Sequence, residues 1–92
     1  MPPKPYVLVI DDDWMNREVL EAHLESEGHI VKLAPNGTKG IAMADEERPA
    51  LVILDLLMPE MDGIAVLEAL RQLPAMQHIP IVLMTGMEND EK

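Results

Sequence analysis

A chain of 92 residues has room for one small domain. Its apolar fraction of 48% calls for a core, and with Tyr6 and Trp14 as the only aromatic residues that core has to be aliphatic. A formal net charge of −10 argues against nucleic-acid or anionic-membrane binding by this domain, and the lack of cysteine rules out disulfides and thiolate metal sites and fits the cytosol.

Strand and helix signals alternate along the chain. The leader Met1-Pro2-Pro3-Lys4-Pro5 has no hydrophobic segment of the kind a signal peptide needs. Tyr6 to Ile10 is predicted as the first strand. Trp14 to about Glu27 is predicted as the first helix, with Met15, Val19, Leu20 and Leu24 at helical spacing and Gly28 as its stop. Ile30 to Leu33 is the second strand. Ala34-Pro35-Asn36-Gly37 is a turn, and Thr38 is the expected N-cap of a helix running through Glu47. Arg48-Pro49 breaks that helix, and Ala50 to Leu54 is the third strand. Gly63 to Leu73 is the third helix, with Ile64, Leu67 and Leu70 on one face and Pro74 as its stop. Ile79 to Met84 is the fourth strand. No apolar stretch approaches the ~18 residues of a membrane span, so no membrane association and a cytoplasmic location are expected. A β-α-β-α-β-α-β string implies a parallel sheet with helices on both faces.

The chemistry sits at strand ends. The apolar run Val7-Leu8-Val9-Ile10 ends in Asp11-Asp12-Asp13, and Leu51-Val52-Ile53-Leu54 ends in Asp55. Runs of this kind read as buried parallel strands, and in an open α/β sheet ligands bind at the carboxyl ends of the strands. One acidic pocket built from two distant segments is therefore expected. It suits a hard divalent cation, and a carboxylate beside that cation can act as a nucleophile. Asp13 is expected to be a helix cap, and Asp62-Gly63 to be turn and helix-start chemistry. His23, His29 and His78 lack metal-ligand spacing.

These motifs in this order resemble the receiver domain of two-component response regulators. "VLVIDDD" is similar to that family's first strand with its acidic pair, and "LVILDLLMPEMDG" to its third strand and phosphoacceptor loop. "IPIVLMTG" is similar to its fourth strand with a hydroxyl residue, and "APNG" to its second turn. The resemblance implies a flavodoxin-like open parallel sheet of strand order 2-1-3-4 in a single receiver-like domain over residues 1–92. It makes Asp55 the phosphoacceptor. Asp12 binds Mg²⁺ directly, Asp11 mainly through water, and the backbone carbonyl of Leu57 is the third protein ligand. Thr85 donates its hydroxyl to the phosphoryl group, assisted by the backbone N–H of Gly86. The implied donor is a histidine kinase, a histidine phosphotransfer protein or a small acyl phosphate. The implied activity is phosphorylation of the domain itself, not turnover catalysis.

The family's usual fifth strand and helix, with a lysine and a switching aromatic, have no counterpart before Lys92. A C-terminally incomplete receiver is expected on that ground. The fourth strand is then expected to lie at the sheet edge and to support a homodimer. The competing function is a receiver-like interaction module that no longer switches. A phosphohydrolase of the haloacid dehalogenase type also uses an Asp nucleophile. Its Asp-x-Asp motif needs Thr or Val two residues on, whereas Trp14-Met15 follows Asp11-Asp12-Asp13 here.

Overall fold

The computed structural model describes residues 4–59 and 61–84; Thr85, Gly86 and Lys92 lie outside the described residues. The elements are β1 (Val7–Ile10), α1 (Trp14–Ser26), β2 (Val31–Ala34), α2 (Gly37–Glu46), β3 (Leu51–Asp55), β4 (Leu57–Met58), β5 (Met61–Asp62), α3 (Gly63–Gln72) and β6 (Ile81–Met84), with a single 3₁₀ turn at Pro74–Met76. The main sheet is parallel in the order β2-β1-β3-β6. That is the expected 2-1-3-4 order, with β6 as the fourth predicted strand.

Alternation in the two central strands sorts the core into two layers. Leu8 and Ile10 of β1 and Val52 and Leu54 of β3 pack on one face with Ala44 of α2 and Val66 and Leu70 of α3. Val7, Val9 and Ile53 point the other way, where Leu20 and Leu24 of α1 cover them. The β1–β3 register, Val7↔Leu51 through Ile10↔Leu54, puts like-facing residues side by side, so both faces are apolar and the runs are unbroken. The α1 layer is the thinner one: none of its residues is fully buried, and Met15 and Val19 are more than half exposed.

Several boundaries differ from expectation. The N-cap of α2 is Asn36, not Thr38. Asn36 has extended backbone, and its side chain accepts from the Lys39 amide at 2.8 Å. Asn is at least as good a cap as Thr, and placing the cap there leaves Thr38 inside the first turn. The third strand runs on through Asp55, because Asp55 pairs in register with Met84 and the Leu56 amide donates to the Met84 carbonyl at 2.9 Å. The fourth predicted strand starts at Ile81. Pro80 has no N–H, and the Ile79 amide is spent on the Met76 carbonyl. The two-residue hairpin of β4 and β5, directly after Asp55, was not expected at all.

Candidate functional site

The sheet's carboxyl edge collects the acidic residues. Ile10 and Leu54 are register partners on adjacent strands, so the next residues, Asp11 and Asp55, emerge side by side. Asp12 joins them from the turn into α1. One carboxylate oxygen from each of Asp11, Asp12 and Asp55 can be chosen so that all lie within 4.8 Å of one another. Asp11 and Asp55 are buried and Asp12 is exposed, so the cluster is walled by protein and open on one side.

Local hydrogen bonds set the carboxylates. Oδ1 of Asp11 accepts from the Asp13 amide at 2.9 Å, and Oδ1 of Asp55 from the Leu57 amide at 2.9 Å. Each is an Asx turn, in which a short carboxylate reaches the amide two residues on. Asp13 and Asp62 make the same bond to Met15 and Ile64 and thereby cap α1 and α3. This is the cap chemistry expected of Asp13 and of Asp62-Gly63.

The site is electrostatically uncompensated. Burial pushes the Asp11 carboxyl above its ordinary range; the Asp13 amide pulls it back, the neighbouring Asp55 charge pushes it further up, and the Asn16 side chain lowers it slightly. Oδ2 of Asp11 is buried without a hydrogen-bond partner among the described residues. A buried acceptor without a donor is costly. An all-oxygen set with such an orphan fits a hard, oxygen-seeking divalent cation, which would supply the missing positive partner.

Two features of the surroundings were missed in the sequence. Arg17, half-buried on α1, donates from Nη1 to the Asp11 carbonyl at 2.7 Å. The only signal for it was a cation in the opening of a helix, where the dipole disfavours one. A groove between α2 and the β4–β5 hairpin reaches the cluster at Asp12 and is lined by Asn36, Lys39, Met58 and Met61. Of the expected site residues, Asp11, Asp12 and Asp55 are brought together, with Leu57 next to them at the start of β4. Thr85 falls outside the described residues, although β6 ends at Met84, directly before it in sequence and opposite Asp55 in register.

Comparison with known proteins agrees with this architecture. The family model "Response regulator receiver domain" matches residues 7–92. The chain is 40% identical over 82 residues to Response regulator PleD of Caulobacter vibrioides, an alignment covering 89% of this chain and 18% of PleD. It spans under two thirds of the length of the curated relatives it matches. Among solved structures, the chemotaxis response regulator CheY4 of Vibrio cholerae superposes with a TM-score of 0.86 at 28% identity, covering 95% of this chain and 72% of that one. The receiver domain of sensor histidine kinase PA1611 from Pseudomonas aeruginosa superposes with a TM-score of 0.83 at 26% identity, covering 90% of this chain and 68% of its own. That structure has a magnesium ion coordinated in its active-site cleft. Sequence motifs, sheet order and acidic cluster thus converge on one assignment: the chain belongs to the response regulator receiver domain family.

Proposed function

We propose that this domain accepts a phosphoryl group on Asp55 in a two-component phosphorelay. The observation that carries the reading is the convergence of Asp11, Asp12 and Asp55 around the unpartnered Oδ2 of Asp11. In this reading a carboxylate oxygen of Asp55 attacks phosphorus in line. The bond to the leaving group, a histidine nitrogen or the oxygen of a small acyl phosphate, breaks with its electron pair, and Asp55 becomes an acyl phosphate. Asp11, Asp12, Asp55 and the backbone carbonyl of Leu57 would hold Mg²⁺, which when bound neutralises charge on the transferring phosphoryl oxygens. The magnesium in the PA1611 receiver supports that choice of cation. The Leu57 amide already holds one oxygen of Asp55 and so fixes the orientation of the nucleophile. Thr85 and Gly86 follow Met84 in sequence, and the family likeness supports their role as donors to the phosphoryl group. A histidine kinase or phosphotransfer protein as donor, and a cytoplasmic setting, belong to the same reading.

Incubation with acetyl phosphate and Mg²⁺ tests it. The intact mass should rise by one phosphoryl group, and the gain should vanish without Mg²⁺ or in Asp55→Asn. A gain that survives Asp55→Asn would refute the assignment of the acceptor.

A further inference from the structure

Arg17 lies in the first turn of α1, next to the acidic Asp11-Asp12-Asp13 turn. It is the fourth residue of α1, close to the positive end of the helix dipole, and the first turn holds no acidic residue to offset it. It makes no ion pair among the described residues. Its guanidinium turns back across six residues to the Asp11 carbonyl. Asp11 is then held at three points. Its amide donates to the Ala34 carbonyl at 3.1 Å, its carbonyl accepts from Arg17 at 2.7 Å, and its Oδ1 accepts from the Asp13 amide at 2.9 Å. Only Oδ2 is left, buried and unpartnered. A local rule broken at the edge of a candidate site asks for a reason in that site.

We propose that Arg17 is a positioning residue for the acidic centre: by holding the Asp11 carbonyl it locks the β1–α1 turn and leaves Oδ2 of Asp11 free to meet a divalent cation. This rests on the cluster being a cation site. Two roles for Arg17 predict opposite signs. A guanidinium acting only through its charge repels a cation, so its removal should tighten binding. A guanidinium acting through the turn prepares the site, so its removal should weaken binding. Outer partners of metal ligands commonly change affinity by about ten- to a hundredfold.

The experiment is a Mg²⁺ titration at fixed ionic strength, read by Trp14 fluorescence and independently by the Mg²⁺-dependent rise in Tm. Arg17→Met removes both charge and bond. Arg17→Lys keeps the charge but ends one bond short of the carbonyl. Both should bind Mg²⁺ about tenfold more weakly than the parent. Arg71→Met is the control. Arg71 likewise donates to backbone carbonyls, those of Met76 at 3.2 Å and Ile79 at 2.9 Å, but away from the cluster. Its loss should lower Tm and leave Mg²⁺ affinity unchanged. Arg17→Met binding Mg²⁺ as tightly as the parent, or more tightly, overturns the proposal. If Arg17→Met does not fold, Arg17→Lys decides alone, and unweakened binding there overturns it equally. A parent response that Asp12→Ala leaves intact brings down the cation site itself and the role of Arg17 with it. A parent response that Asp12→Ala abolishes, joined to an unweakened Arg17 variant, brings down the role of Arg17 alone.

Discussion

Four aspartates in this chain make one and the same bond. Asp11, Asp13, Asp55 and Asp62 each accept from the amide two residues on, yet two of them cap helices and two build a site. Burial separates them: Asp13 and Asp62 are exposed, while Asp11 and Asp55 are closed off from water. The stability of the metal-free protein should therefore respond to pH through Asp11. Its folded-state pKa is raised, chiefly by burial and then by Asp55. A raised carboxyl pKa leaves folding unpenalised below the unfolded value. The cost grows as pH climbs from the unfolded value to the folded one, and is constant above it. Tm of the metal-free protein should thus fall as pH rises through that interval. Mg²⁺ should restore it at neutral pH, and NaCl at equal ionic strength should not. Asp11→Asn should raise the metal-free Tm at neutral pH, by on the order of 1 kcal/mol of stability, and remove the Mg²⁺ increment. Equal shifts in both salts would mean screening instead of binding. Asp11 and Asp55 were legible because each ends an apolar run. Arg17 was not, since a side chain reaching back to a carbonyl leaves no periodic trace.

At the level of elements, close backbone approach decides how the loop after Asp55 is held. A Cβ on Gly63, at the start of α3, would meet the Leu56 Cα at 2.5 Å and the Leu56 carbonyl oxygen at 2.8 Å. Leu56 directly follows Asp55, so α3 presses on the backbone that carries the carboxylate. A Cβ on Gly40 of α2 would instead press first on the Ile10 side chain, on its Cδ1 and, at 2.6 Å, on its Cγ1. Both glycines to alanine should destabilise, Gly63→Ala by about 1–3 kcal/mol. Only Gly63→Ala should also disturb the Asp55 site. Urea melts read the first effect, and the Mg²⁺ response of Trp14 reads the second; a normal response in Gly63→Ala would show that the loop absorbs the push. The helices and main strands were legible from periodicity and from glycine and proline punctuation. The β4–β5 hairpin was not, because two-residue strands carry no period. The α2 cap was misplaced by two residues because Asn36 and Thr38 are both good caps and only backbone geometry chooses between them.

For the molecule as a whole, the sheet has two unlike edges. On β2, Lys32 pairs with Glu47 at 2.6 Å, and its ammonium lies 4.7 Å from the centre of the Tyr6 ring. That corner is charged and anchored, and the buried Tyr6 hydroxyl, its pKa raised to about 12 by burial and the Glu47 charge, bonds to the Glu47 carbonyl. On β6, Val82 and Leu83 are 48% and 42% exposed, and no strand pairs with its outer side among the described residues. Apolar edges without charge are templates for pairing with another chain. Self-association at micromolar concentration is therefore expected in sedimentation, and Val82→Lys should shift it towards monomer. A compact, cooperatively melting monomer unaffected by Val82→Lys would show the edge to be covered within the chain. The sheet order was legible from four apolar runs and the family likeness. The uneven dress of its two edges needed coordinates, since Val82 and Leu83 look in sequence like any buried pair.

The side-by-side emergence of Asp11 and Asp55 has a kinetic meaning. Between them the chain runs through α1, β2 and α2, so the two halves of the cluster meet only when a long loop has closed. Closing entropy rises slowly with loop length, but carboxylate repulsion rises steeply over the last few ångströms. A divalent ion has nothing to grip until β1 and β3 have locked into a single register. A divalent ion bound there would therefore act as a brake on unfolding and not as a seed for folding.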